Sequence, residues 1–279
     1  MVKIVADTTC SIPVNELEGL GVTALPQIIV FGDETYRDDT EIDHPTFLVK
    51  LKASAQLPKT AAPPPVLYNP VFEKEAKAGN PVVVICPSSE LSGTFRSAET
   101  AAHEFPDAEI HIVDTRTIGS GLGSIVRCAM EWAKQGAGAE EIVTRVKEMS
   151  NRGHVYFLVD TLEYLKKGGR IGGAQALLGT LVQVKPILTI ANGRVEPFEK
   201  QRTKIRAVAR LKELVQSECP PDRNCYLTVM HGAAVEEATT LSKELAEMIK
   251  VPEVRFYDLP PAIMVHAGPG VLAVSYFIE

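Results

Sequence analysis

The sequence predicts an α/β protein of two domains, and three observations carry that expectation. Apolar runs of strand length alternate with helical patterns through the first half, which argues a mostly parallel sheet with flanking helices. In the second half an Asn192-Gly193 dipeptide separates two strand-like runs and marks a hairpin, so the sheet there is mixed or antiparallel. The chain has 279 residues, 45% hydrophobic and 23% charged, which suits one large domain or two ordinary ones, each with a sizeable core. The division is placed near Asn151-Arg152-Gly153, giving domains 1–152 and 153–279.

Residues 2–6 read as the first strand and 14–20 as a short helix. Residues 23–30 are the next strand, closed by a turn at Gly32-Asp33-Glu34, and 45–52 are helical. The stretch 57–65 is proline-rich and extended, because proline restricts both itself and the residue before it. Helix 66–77 follows a proline, strand 82–86 is continuously apolar, and helix 92–104 follows it. Strand 109–113 and helices 121–135 and 139–151 complete the first domain. The second opens with strand 154–159, a short helix over 161–167 and helix 175–182. The hairpin 184–190 and 194–198, helix 204–218, strand 225–230, helix 235–249 and strands 253–258 and 271–277 follow.

Composition excludes several classes. The net charge is -6 and no long block of Lys or Arg occurs, which argues against nucleic acid as a partner. The N-terminus reads as a strand rather than a signal peptide. No apolar run reaches the ~18 residues of a membrane span. Five scattered cysteines (Cys10, Cys86, Cys128, Cys219, Cys225) lack a C-x-x-C pair, which suits a reduced cytoplasm better than a disulfide framework or a zinc site.

Polar clusters stand at expected strand ends, where ligands bind in open α/β sheets. The richest is Ser88-Ser89-Glu90-Leu91-Ser92-Gly93-Thr94-Phe95, between a strand and a helix. Small hydroxyls and backbone N–H groups at a helix N-terminus make an anion site, for a phosphate or a carboxylate. Asp7-Thr8-Thr9-Cys10-Ser11 reads as a cap. As a phosphatase-like nucleophile Asp7 would want a second acid where Thr9 stands. Lys59-Thr60-Ala61 places a hydroxyl on a stiff backbone or is a plain connector. Residues 114–123 link a strand to a helix, but as G-x-G-x-G without a Walker lysine, so close helix–sheet packing is the better account. Lys166-Lys167-Gly168-Gly169 is a helix C-terminus, beyond which Arg170 either reaches an acidic group or is solvated. His266 precedes a Gly-Pro-Gly turn and is able to hydrogen-bond an anion; His231 is a weaker candidate. No metal-ligand spacing, no G-x-S-x-G elbow and no acid/base carboxylate pair stands out. An inventory of donors fits holding an anion better than breaking a bond.

Taken in order, these segments resemble the DegV family of bacterial fatty-acid-binding proteins. The resemblance rests on Val5-Ala6-Asp7-Thr8-Thr9, on Ser88-Ser89-x-Leu91-Ser92-Gly93-Thr94-Phe95, and on Asp114-Thr115 with the 119–123 glycine run. It continues in Thr161-Leu162-Glu163-Tyr164-Leu165-Lys166-Lys167-Gly168-Gly169-Arg170-Ile171, Val184-Lys185-Pro186-Ile187-Leu188, Lys200-x-Arg202 and His266-x-Gly268-Pro269-Gly270. It implies two α/β domains with a long-chain fatty acid in an apolar tunnel between them. By motif position Ser92, beside Gly93, and Thr60 would bond the carboxylate, with His266 nearby and Arg170 as the family's Gly-Gly-Arg-Ile arginine. It further implies a cytoplasmic carrier with no cofactor and no catalysis of its own, which presents the fatty acid to a separate kinase for acyl-phosphate formation and phospholipid synthesis. One departure bears on the head group: where the family has Thr-Ser-Gln-Pro-Ser, this chain reads Thr60-Ala61-Ala62-Pro63-Pro64. Lys166, Lys167, Lys200, Arg202 and Arg206 are either a docking face for the kinase or ordinary solvated charge. The competing reading is a transferase or hydrolase acting on a small acyl or phosphorylated substrate. It needs a general base beside a serine, and none is evident.

Overall fold

A computed structural model describes residues 1–178, 184–221 and 224–278. The chain forms two compact units, Met1–Asn151 with Pro260–Ala262, and Arg152–Leu259 with Ile263–Glu279.

The first unit is built from β1 (Lys3–Asp7), α1 (Val14–Leu20), β2 (Thr23–Leu25), β3 (Ile28–Phe31), β4 (Glu34–Arg37), α2 (His44–Ala53), β5 (Lys59–Ala61), α3 (Asn69–Ala78), β6 (Val82–Cys86), α4 (Thr94–Ala102), β7 (Ile110–Asp114), α5 (Ser120–Lys134) and α6 (Ala139–Asn151). Its main sheet has the order β2-β1-β6-β7, and all three pairings are parallel. All five residues of β6 are buried. That is the continuous apolar character of a strand covered on both faces. Tyr68, Phe72 and Ala98 pack with Val84 on one face.

The expected strand over 23–30 is two strands in different sheets. Pro26 interrupts it, since proline cannot donate to a ladder. β2 stays in the parallel sheet, while β3 pairs antiparallel with β4 and β5 in a three-stranded sheet. β4 is a strand where only the turn before it was expected. The proline-rich stretch is likewise not merely a connector, because Lys59–Ala61 pairs with β3 before the prolines begin.

The second unit comprises β8 (Gly153–Leu158), α7 (Glu163–Lys167), β9 (Lys185–Ala191), β10 (Arg194–Gln201), α8 (Lys204–Glu218), β11 (Thr228–His231), α9 (Val235–Ile249), β12 (Arg255–Asp258), α10 (Pro261–Ala267) and β13 (Leu272–Phe277). α10 draws its first residues from the segment that groups with the first unit. The sheet order is β10-β9-β8-β13-β11-β12, and only β11–β12 is parallel. The hairpin turns at Asn192-Gly193, where both residues have positive φ, as a type I′ turn requires. Leu211 and Leu214 of α8 and Leu241 and Leu245 of α9 pack against Val229 and Val274. In place of the expected helix 175–182, Gly172–Leu177 is a 3-10 helix, and 179–182 lie outside the described residues.

Candidate functional site

Two polar groupings form, one at strand ends of the first unit and one at helix ends of the second. In the first, Asp7 ends β1 and caps the 3-10 turn Thr8–Cys10. One carboxyl oxygen, Oδ1, accepts the Thr9 N–H at 3.0 Å and the Thr9 hydroxyl. The other, Oδ2, accepts from Gln27 Nε2 at 2.6 Å and from the Thr94 hydroxyl at 2.5 Å. Gln27 Nε2 also donates to Thr94 Oγ1 at 3.0 Å. Asp7, Thr9, Gln27 and Thr94 are all buried. Burial pushes the Asp7 carboxyl up from its ordinary range, against the hydrogen bonds from Thr9, Thr94 and Gln27 that favour its charge.

The serine turn sits on this network. Ser88 and Ser89 are engaged in building the turn. The Ser88 carbonyl accepts the N–H groups of Leu91 and Ser92, and its hydroxyl accepts that of Glu90 at 3.3 Å. The Ser89 hydroxyl donates to Asp114 at 2.6 Å. Ser92 instead lies 2.9 Å from Thr94 Oγ1 and accepts the Thr94 N–H at 3.3 Å. Gly93 is the N-cap of α4 and supplies no side-chain cap, and an α-helix leaves its first N–H groups without intrahelical partners.

Thr60 lies on β5, paired with Ile29 of β3. Its segment runs beside the serine turn: a Cβ on Gly93 would stand 3.5 Å from that of Ala62, and the Ser97 hydroxyl donates to the Pro63 carbonyl. Ala62, one of the two alanines that depart from the family pattern, therefore flanks the turn with its methyl group.

The 119–123 glycine run packs a helix. Gly119 donates its N–H to the Thr9 carbonyl at 2.9 Å, and a Cβ on Gly123 would come within 2.4 Å of the Cys10 carbonyl. The glycines let α5 approach the 3-10 turn after β1. Asp38, which no sequence motif marks, accepts the Thr8 hydroxyl at 2.8 Å and the Gln27 N–H at 2.8 Å. Burial raises its carboxyl to about 7.

In the second unit α7 ends at Gly168. Gly169 takes a positive φ of 70°, and the Arg170 N–H closes the end on the Leu165 carbonyl at 2.9 Å. Arg170 is thereby held in place instead of resting on loose glycine backbone, and its Nη1 donates to the Gly168 carbonyl at 2.8 Å. His266 lies in the last turn of α10, a helix the sequence did not announce. Burial first, and then the neighbouring Arg170 charge, lower its imidazole to about 4, so it is neutral at pH 7. Burial also lowers the Arg170 guanidinium. Arg170 and His266 are thus brought together. His231 sits buried on β11 with Nδ1 3.4 Å from Asp258, on a neighbouring strand.

Of the sequence-derived residues, Thr60, Ser92 and Gly93 gather in the first unit and Arg170 and His266 in the second. Sequence reasoning missed Gln27 and Thr94 as the links between Asp7 and Ser92. Thr94 stood within the serine cluster and Gln27 in no motif, and neither link is legible locally, because the contacts join residues 20 and 87 positions from Asp7. Among the described residues no group of three or more His, Cys, Asp or Glu is placed to hold a metal ion. No helix among them is long and apolar enough to cross a membrane.

A parallel α/β unit with hydroxyls at its strand ends and a mixed-sheet unit that sets a neutral imidazole near an arginine define a two-unit α/β protein. The chain belongs to the DegV family, whose model, described as an uncharacterised protein family, matches residues 1–279. A DegV domain-containing protein of Streptomyces coelicolor is 36% identical over 278 residues, covering 98% of this chain and 97% of that one. A solved structure described as fatty acid binding of a DegV family protein from Thermus thermophilus matches with a TM-score of 0.91 at 31% identity, covering 100% of this chain and 99% of that one. The structure of DegV from Bacillus subtilis, described as a fatty acid binding protein, matches at 0.89 and 33%, with the same coverage.

Proposed function

We propose that this protein binds a long-chain fatty acid, with the acyl chain in an apolar tunnel, and presents the carboxylate to a separate fatty acid kinase that makes the acyl-phosphate. It acts in the cytoplasm, as a carrier with no cofactor and no turnover of its own. The observation that carries the reading is the Ser92–Thr94–Asp7 chain at the carboxyl end of the parallel sheet, with the Thr60 segment alongside. It commits a surface-facing hydroxyl to a buried network without placing a base beside it. The relatives from Thermus thermophilus and Bacillus subtilis are described as fatty acid binding, which supports the ligand class. Arg170 and His266 are the proposed polar contacts of the second unit.

The energetics agree. Burial contributes about 0.8 kcal/mol per CH₂. A tail of about sixteen carbons therefore supplies roughly 10 kcal/mol before the entropy of binding is subtracted. The head group then needs only satisfied hydrogen bonds, because an unpaired buried carboxylate is very costly. Five buried thiols outside any disulfide suit a reducing compartment.

Mass spectrometry of protein purified from a bacterial host and then denatured is expected to find a stoichiometric long-chain fatty acid. Repeated absence of any acyl species, together with no uptake of added fatty acid, overturns the reading. Hydrolysis of acyl esters by the purified protein, abolished by Ser92→Ala, would establish the enzyme reading in its place.

A further inference from the structure

We propose that Asp7 is a positioning residue for the fatty acid head group: a single proton on the Asp7–Thr94–Ser92 chain decides whether Ser92 meets the ligand as a donor or an acceptor. The inference rests on the fatty acid reading above. Thr94 Oγ1 stands at the centre of three contacts: Gln27 Nε2 at 3.0 Å, Asp7 Oδ2 at 2.5 Å and Ser92 Oγ at 2.9 Å. An amide nitrogen only donates, and a hydroxyl has one proton to give. The Thr94 proton therefore goes either to Asp7 or to Ser92.

With Asp7 ionised, its oxygens accept four hydrogen bonds, from the Thr9 N–H, the Thr9 hydroxyl, Gln27 and Thr94. Thr94 has then spent its proton on Asp7, so Ser92 must donate to Thr94. What Ser92 offers outward is a lone pair, which a carboxylate repels. With Asp7 neutral, the order reverses. Asp7 donates through Oδ2 to Thr94, Thr94 donates to Ser92, and the Ser92 proton turns outward to the ligand. A carboxylate is accepted at Ser92 only with one added proton. That proton resides on Asp7, or on the ligand's own carboxyl donating into the Ser92 lone pair. Where Asp7 is ionised in the free protein, one proton therefore enters with each fatty acid anion; where burial keeps it neutral, the proton is already in place.

The titratable groups facing Asp7 are few. Asp38 lies beyond Thr8, the Cys10 thiol is on the turn Asp7 caps, the Cys86 thiol ends β6, and the Tyr68 hydroxyl precedes α3. Arg127 of α5 faces Cys10. Burial pushes the Cys10 thiol up to about 12 and raises Cys86 and Tyr68 as well, so these stay neutral at pH 8. Asp38, at about 7, is the one group that needs its own control.

The test is calorimetric titration of delipidated full-length protein with palmitate from pH 8 to 10, in buffers of different ionisation enthalpy, which counts protons taken up. The expected result is an uptake that rises to about one proton per palmitate as Asp7 ionises in the free protein, with affinity falling about tenfold per pH unit from there. Asp7→Asn mimics the neutral form, since its amide donates to Thr94 while the Gln27 amide turns to accept. It is expected to bind palmitate with no proton uptake and a flat pH profile. Thr94→Val, which cuts the chain, is expected to lose the uptake as well, and Asp38→Asn to keep it. Palmitate binding by the parent without proton uptake anywhere from pH 8 to 10, or an unchanged uptake in Asp7→Asn or Thr94→Val, overturns the inference and leaves the fatty acid reading intact. Failure of the parent protein to bind palmitate overturns both. If Asp7→Asn does not fold, the parent and Thr94→Val decide.

Discussion

A Cβ placed on Gly168 would stand 2.2 Å from Nδ1 of His266. The end of α7 and the last turn of α10 are therefore in contact across a position that admits only hydrogen. The same glycine receives Arg170 on its carbonyl. One small residue thus sets the spacing of the two side chains proposed as the second unit's ligand contacts.

Gly168 has an ordinary helical φ of -79°, so alanine there carries no backbone strain. Gly168→Ala is expected to act by displacing the imidazole. We expect a loss of about 1–3 kcal/mol from overpacking, with fatty acid affinity reduced at least as much as by His266→Ala. Denaturant unfolding and ligand titration check this; unaltered affinity in Gly168→Ala would show that His266 does not touch the ligand.

Two glycines at helix starts should respond in opposite ways. Alanine normally gains up to about 1 kcal/mol over glycine inside a helix. At Gly123 the added methyl would meet the Cys10 backbone carbonyl at 2.4 Å, so Gly123→Ala is expected to destabilise by more than about 2 kcal/mol. At Gly93 it would meet only the Ala62 methyl at 3.5 Å, so Gly93→Ala is expected to shift stability by less than about 1 kcal/mol. Thermal unfolding of the two variants separates them.

Removing the Ser92 hydroxyl takes one hydrogen bond from a charged group. Such bonds are worth about 1.5–3 kcal/mol. Ser92→Ala is expected to weaken fatty acid binding by roughly tenfold to a hundredfold while the protein stays folded, and Thr60→Ala to act in the same direction. Circular dichroism with a binding titration tests both, and parental affinity in the two variants would remove the head-group assignment.

The acid limb of stability carries two opposed contributions. His266 has a folded value near 4, below its unfolded value of about 6.5. Between those values the unfolded chain binds the extra proton, so stability falls as pH drops from 6.5 towards 4. Asp38 runs the other way. Its folded value near 7 lies above an unfolded value of about 3.9, so its contribution is full at low pH and is lost as pH rises through 7. Asp38→Asn keeps an acceptor for the Gln27 N–H and is expected to gain about 1–3 kcal/mol at pH 8 and little at pH 4. His266→Gln should flatten the fall between pH 6.5 and 4. Melting temperatures across pH 4–8 for both variants read out the two slopes, and equal slopes in variant and parent would contradict the burial that drives each shift.

Much of the fold was legible because its signals are local. Continuous apolar runs mark the parallel strands, since residues 82–86 are covered on both faces. Asn192-Gly193 marks the hairpin, because few residues accept two positive φ angles. The small antiparallel sheet was not legible: β4 has the burial pattern of an edge, with two exposed residues, and β3 joins it only because Pro26 breaks the run. Helix α10 was hidden for a similar reason. Its seven residues start on the second proline of Pro260-Pro261, which reads as loop, and are too short to show a period.

By itself the sequence determined the α/β class, the family and the set of donor residues, because periodicity, turn chemistry and motif order are written in consecutive positions. Tertiary structure alone decided which of those donors gather and which build the scaffold. Ser88 and Ser89 shape the turn, while Ser92 is tied through Thr94 to Asp7; Gly168 gathers Arg170 and His266. Hydrogen bonds and close contacts reach only a few ångströms, so they are set by which strand ends and helix ends meet, and a linear chain does not record that meeting.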